Sequence, residues 1–147
     1  MLSFADKNFR VGIDVVLIAE LDRLLSRDWF LKYTYSPREL NTCKTWHRKR
    51  RNEFLAGRFC AKEAIYKALP SSHCSAIKLK PWQISVDRGA DNEPTPHIQY
   101  PQRHIKPLRI SISITHKENI CAAFAVVFLS LSDHYPTPCP EVCNVAF

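Results

Sequence analysis

Arg51-Asn-Glu-Phe-Leu-Ala-Gly-Arg-Phe-Cys-Ala-Lys-Glu-Ala-Ile-Tyr-Lys-Ala-Leu69 is the stretch on which the fold turns. Phe54, Ala61, Ile65 and Ala68 recur at spacings of seven, four and three, which stacks them on one face of an α-helix. Arg58, Lys62 and Lys67 fall off that face. Pro70 has no amide proton to continue the ladder, so the spacing predicts a helix over 52–69 followed by a polar loop over 71–75.

Upstream lies a basic run, His47-Arg-Lys-Arg-Arg51, and before it a helix start, Ser36-Pro-Arg-Glu39. The Ser36 hydroxyl can accept from the amide three residues on, Glu39 can reach back, and Pro37 suits the first helical position. The helix is expected to run through Leu40 and Cys43 towards the basic run. Nearer the N-terminus, Val11-Gly-Ile-Asp-Val-Val-Leu-Ile18 is rich in β-branched residues and predicts a buried strand. Over 19–27 the period lengthens, with Ile18, Leu21, Leu24 and Leu25 on one helical face.

Downstream the period shortens to two. Residues 82–87 alternate, 97–100 can pair with them across the turn-prone 88–96, and 108–115 places Leu108, Ile110, Ile112 and Ile114 opposite Arg109, Ser111, Ser113 and Thr115. His116-Lys-Glu-Asn119 is a short connection into an apolar strand over 120–129, making a hairpin. Three prolines and two cysteines mark an extended tail over 132–147. The pattern predicts one α+β domain over 1–131 with a largely antiparallel sheet.

At 147 residues with 46% hydrophobic and 24% charged residues, the chain can bury one core, which excludes wholesale disorder. A net charge of +7 calls for an anionic partner: nucleic acid, an acidic protein or a phosphate-rich small molecule. The six cysteines form no Cys-x-x-Cys pair. Cys60 and Cys121 read as buried free thiols, and neither Cys43 with His47 nor His134 with Cys139 and Cys143 has further metal ligands at the usual spacing. The N-terminus lacks the pattern of a secretory signal, and the longest apolar run is too short to span a bilayer. A soluble cytoplasmic protein with no membrane partner is expected.

Asp14 is the first chemical anomaly, because a carboxylate inside an apolar strand is costly unless paired or metal-bound. It could equally sit at an exposed strand end as a cap. Glu63 with Lys67 reads, taken alone, as an ordinary surface ion pair one helical turn apart. Taken with Asp14, two carboxylates offer the hard oxygen ligands that Mg²⁺ uses when substrate phosphates and water complete its shell. Lysines and arginines on the same helix would face the remaining phosphate charge. His116 ends the polar strand face Ser111, Ser113 and Thr115.

Three blocks, in order and spacing from about residue 10 to 129, resemble the 4′-phosphopantetheinyl transferases of the holo-acyl-carrier-protein synthase type. Gly12-Ile-Asp-Val-Val16 is similar to the family's N-terminal strand. The stretch from Arg51 to Ala64, with Lys67-Ala68, is similar to its signature helix, and Ile112-Ser-Ile-Thr-His116 with Cys121-Ala-Ala123 to its C-terminal strand and hairpin. The resemblance implies that fold, with an antiparallel sheet, the long signature helix and one domain per protomer. It implies transfer of the phosphopantetheine arm of coenzyme A to a serine of an acidic acyl carrier protein, releasing 3′,5′-ADP, as in fatty acid biosynthesis and lipid metabolism. Asp14 and Glu63 would hold Mg²⁺ on the pyrophosphate, Glu63 would also help deprotonate the serine, and Lys67 would stabilise charge on the phosphates. Arg51, Arg58, Ser113 and His116, with Lys67, would bind coenzyme A.

The chain departs from the family at Glu20, where an arginine usually meets the carrier, leaving Arg23 and Arg27 as the expected carrier contacts. Pro70 and Asn92-Glu-Pro-Thr-Pro96 each stand where a glycine is usual. The resemblance further implies a homotrimer with active sites between protomers. The alternative from another class is a basic nucleic-acid-binding module built on His47-Arg-Lys-Arg-Arg51, but aromatic residues are not interleaved there and no nucleic-acid motif is present.

Overall fold

The computed structural model describes residues 9–70, 79–100 and 108–129. Strand β1 (Phe9–Leu17) leads into helices α1 (Ile18–Leu25), α2 (Asp28–Thr34), α3 (Pro37–Thr42) and α4 (Arg48–Ala68). A single 3₁₀ turn (Pro81–Gln83), β2 (Ile84–Arg88), β3 (Pro94–Ile98), β4 (Arg109–Lys117) and β5 (Ile120–Phe128) follow. The main sheet has the order β1-β5-β4 and the minor one pairs β2 with β3, all antiparallel. This is the expected α+β architecture. The proposed tail over 132–147 and the loop over 71–75 lie outside the described residues.

Helix α4 lies across the main sheet and forms its core. Ala56, Ala61, Ala64, Ile65 and Ala68 are buried there, as are Cys121, Ala123, Ala125 and Val127 of β5. The fit is close because the facing side chains are small. A Cβ added to Gly12 of β1 would stand 2.0 Å from the carbonyl oxygen of Ala64, so strand and helix backbones touch at that point. Cys60 and Cys121 are buried free thiols, as expected, and Cys60 Sγ donates to the Cys121 carbonyl at 3.3 Å.

Several boundaries moved. Helix α4 begins at Arg48, so the basic run is its first turn and not a junction before it. Asp22 of α1 secures that turn through Arg48 at 2.7 Å and through Asn52. The Ser36–Glu39 capping box forms as read, but α3 stops at Thr42. The short α2 had no apolar period to announce it. Strand β3 begins within the stretch read as turn, where Asn92 alone takes a left-handed φ of 64°. Between β4 and β5 the turn residue Asn119 caps α1, accepting from Ile18 N at 2.7 Å and from Ala19 N at 2.9 Å.

Two burial expectations are corrected. Strand β1 is covered on one face only: Val11, Ile13 and Val15 point away from α4 and stand more than half exposed. Arg58 and Lys62, read as lying off the core face, are buried because α2, α3 and β2 close over the far side of α4. Among the described residues no helix is long and apolar enough to cross a membrane.

Candidate active site

The contact of Gly12 with α4 sets the site two residues further along β1. Side chains alternate on a strand, so Asp14 faces the same way as Gly12, towards the last turns of the helix. Lys67 Nζ donates to Asp14 Oδ1 at 2.8 Å and to the Ile13 carbonyl at 3.2 Å. Glu63 lies one turn before Lys67 on the same side of α4. The lysine therefore pairs across to the strand, and the surface Glu63–Lys67 pair that spacing alone suggested is replaced by a three-residue cluster.

The cluster is short of positive charge. Burial raises the Glu63 carboxyl above the ordinary carboxylate range, the Asp14 charge raises it further, and only Lys67 opposes them. Asp14 Oδ2 is buried and takes no hydrogen bond. A buried carboxylate oxygen without a partner costs free energy that a cation between Asp14 and Glu63 would recover. Two carboxylates suit a hard divalent ion that keeps water or phosphate oxygens in its shell. The residues present therefore fit a magnesium-type ion.

The other expected site residues are not gathered here. Arg58 stacks its guanidinium 4.0 Å above the Phe54 ring on the far side of α4, with its Nε buried and unpartnered. Burial lowers its pKa, and Glu39 and Asp87 partly offset this. Arg51 belongs to the first turn of α4, whereas Lys67 belongs to its last. His116 stands exposed near the end of β4, opposite Cys121. Ser113 pairs with Phe124, which pairs with Ile13, so it lies on the outer face of the sheet, away from Asp14. Among the described residues no hydrogen bond or ion pair joins Arg51, Arg58, Ser113 or His116 to Asp14, Glu63 or Lys67.

The fold that carries this two-carboxylate cluster has counterparts. Residues 10–125 match the family model of the 4′-phosphopantetheinyl transferase superfamily. The chain belongs to that superfamily. Within it, the chain is 31% identical over 121 residues to a holo-[acyl-carrier-protein] synthase of Staphylococcus carnosus, covering 81% of this chain and 96% of that one. A second synthase, from Clostridium kluyveri, is 31% identical over 124 residues, covering 81% of this chain and 89% of that one. Among solved structures, the Helicobacter pylori synthase in complex with coenzyme A superposes with a TM-score of 0.62 at 26% identity, over 80% of this chain and 98% of that one. A Chronobacterium ammoniagenes synthase–coenzyme A complex gives 0.66 at 25% identity, over 83% and 98%. The transferase fold expected from the three sequence blocks is thus the fold observed.

Sequence reading missed two features of this superfamily member. Exposed Trp29 and Tyr33 sit on α2 beside exposed Arg27. Glu39 and Lys62 form a buried ion pair behind the site. Only Glu39 had a sequence signal, through its capping box, and that signal pointed to a helix end and not to a core charge.

Proposed function

We propose that this protein transfers the 4′-phosphopantetheine arm of coenzyme A to a serine hydroxyl of an acidic apo acyl carrier protein, releasing 3′,5′-ADP. The observation that carries the reading is the Asp14–Glu63–Lys67 cluster, with one buried carboxylate oxygen lacking a partner, in a chain of this superfamily. Asp14 and Glu63 would hold Mg²⁺, which when bound neutralises charge on the pyrophosphate. Lys67, half exposed and fixed on Asp14, is placed to face the phosphate oxygens as the bond to the leaving 3′,5′-ADP breaks. Glu63, with its raised pKa, is suited to accept the serine proton, a contribution of about 10²–10⁴ in rate.

A single protomer gathers only part of this site. On the outer face of the main sheet β1 and β5 are apolar, with Phe9, Val11, Ile13, Val15, Phe124 and Phe128 exposed. A contiguous patch of that kind marks a protein interface. We place a second and third copy of the chain there, forming a homotrimer, so that Ser113 on that face reaches a neighbour's cluster. The carrier would dock on α1 and α2, where Arg23 and Arg27 supply positive charge and Trp29, 64% exposed, supplies an aromatic anchor.

The test is direct: incubate the protein with coenzyme A, Mg²⁺ and apo carrier, and weigh the carrier by mass spectrometry. A carrier heavier by one phosphopantetheine is expected. Folded enzyme that leaves a panel of fatty acid, polyketide and peptide carriers unmodified would refute the reading.

A further inference from the structure

Lys62 is adjacent to Glu63 in sequence but, at about 100° further round the helix, faces a different wall. It is 2% exposed, and its ammonium donates to Thr34 O at 2.7 Å, Glu39 Oε2 at 2.7 Å and Pro81 O at 3.3 Å. Three donors meet three acceptors, so the group is fully satisfied. Glu39 is equally committed: Oε2 accepts from Ser36 N at 2.8 Å and Ser36 Oγ at 2.9 Å, and Oε1 accepts from Val86 N at 3.1 Å. One ion pair thus joins the end of α2, the start of α3, the 3₁₀ turn and β2 to a single turn of α4.

Stability does not account for this arrangement. Desolvating two charges cancels most of their attraction, and an apolar pair of similar volume commonly holds a fold as well. What directional bonds add is a fixed rotation of the helix. On its other side α4 meets the sheet through small residues, with Gly12 against Ala64 and Ala68 and with Ala123 and Ala125 of β5 buried in the same core. Lys62 is the buried polar tie that opposes turning of α4 about its axis from the far side.

We infer that Lys62 is a positioning residue, and that its buried pair with Glu39 sets the rotation of α4 and so the approach of Glu63 to Asp14. The inference rests on the proposed role of those carboxylates. A side chain reaches about 5–6 Å from a helix axis, so turning α4 by about 10° moves the Glu63 carboxylate by about 1 Å. A displacement of that size costs on the order of 100-fold in rate.

The experiment uses the full-length protein carrying Lys62→Met, and the neutral pair Glu39→Gln with Lys62→Met, which leaves no buried charge unpaired. Folding is followed by circular dichroism and thermal melting, transfer by carrier mass, and metal binding by titrating Mn²⁺ alone and measuring free Mn²⁺ by electron paramagnetic resonance. The double variant is expected to fold, to lose about 100-fold in kcat with KM for coenzyme A little changed, and to bind Mn²⁺ about tenfold more weakly. A folded double variant with native kcat and native Mn²⁺ affinity would overturn the inference. So would a double variant that does not fold, because the pair would then serve the fold itself. If the native protein modifies no carrier, the transferase reading fails separately, and the Mn²⁺ titration still decides the positioning role.

Discussion

Replacing Gly12 by alanine tests the strand–helix contact from which the site is built. The added Cβ would lie 2.0 Å from Ala64 O and 2.9 Å from Ala68 N, both backbone atoms that no rotamer change can move. Ordinary contact begins at 3.4 Å, so β1 and α4 must part by about 1.4 Å at that point. Overpacking costs about 1–3 kcal/mol, and a clash of backbone against backbone belongs at the top of that range. For a domain of this size about 3 kcal/mol lowers Tm by roughly 10 °C. The same parting draws Asp14 away from Lys67, now 2.8 Å apart, and displacement on the order of 1 Å removes about 100-fold in rate. Gly57→Ala is the control. Its Cβ would meet the Ile114 methyl at 3.3 Å and Cys121 Sγ at 3.8 Å, both side-chain atoms. Against that small cost, alanine gains about 1 kcal/mol of helix propensity, so Tm should hold or rise. Calorimetry and the carrier-mass assay read both variants. A Gly12→Ala protein that melts with the native one and keeps its rate would refute the close-contact account of the site.

Glu63→Gln should cut transfer by about 10²–10⁴-fold in the carrier-mass assay. The same change should stabilise the metal-free protein at neutral pH. A carboxyl whose pKa is raised on folding holds its proton better in the folded state, so its ionised form penalises folding above that pKa and the penalty is gone below the unfolded value. The Tm advantage of Glu63→Gln should therefore vanish near about pH 4, and a constant difference across pH would contradict the desolvated Glu63. Ile13→Glu introduces a charge where the protomer is 61% exposed, so the monomer fold should persist while sedimentation shows the native trimer dissociating; a monomeric native protein would rule out the interface. Arg23→Glu with Arg27→Glu should raise KM for the carrier, abolish or reverse the preference for more acidic carriers and leave KM for coenzyme A unchanged in steady-state assays. Equal effects on both substrates would remove α1 and α2 as the docking surface.

Much of the fold was legible because its signals are local. The alternation of 108–115 became β4, the Ser36–Glu39 box became the start of α3, and the Phe54–Ala61–Ile65 stripe became a buried face of α4. What sequence reading lost depends on neighbours. The first turn of α4 has no apolar period, and His47 makes no side-chain cap, so nothing local marks Arg48 as helical. It is held from α1, by Asp22. Arg58 and Lys62 carry charge and read as solvent-facing, yet both are buried under elements from other parts of the chain, and Lys62 becomes buried only with Glu39 as its partner. Strand β1 read as buried on both faces because its residues are apolar on both, while the single protomer covers only one.

That last difference bears on function. A strand apolar on both faces fits a protomer that is unfinished on one side. Its covered face carries Gly12 and Asp14, whose positions are set by α4, and its open face carries Val11, Ile13 and Val15. The same sheet puts Ser113 on the open face. A neighbour docked on those residues would bury the patch and bring Ser113 against its own chain in one step, so assembly and completion of the nucleotide site would be a single event. Substitutions on the open face should then lower the affinity for coenzyme A in proportion to the trimer they dissociate, even though none of those apolar side chains lies on the Asp14 side of the sheet. A variant such as Ile13→Glu that was fully monomeric yet bound coenzyme A with native affinity would separate the two events, and the site would have to be complete within one protomer.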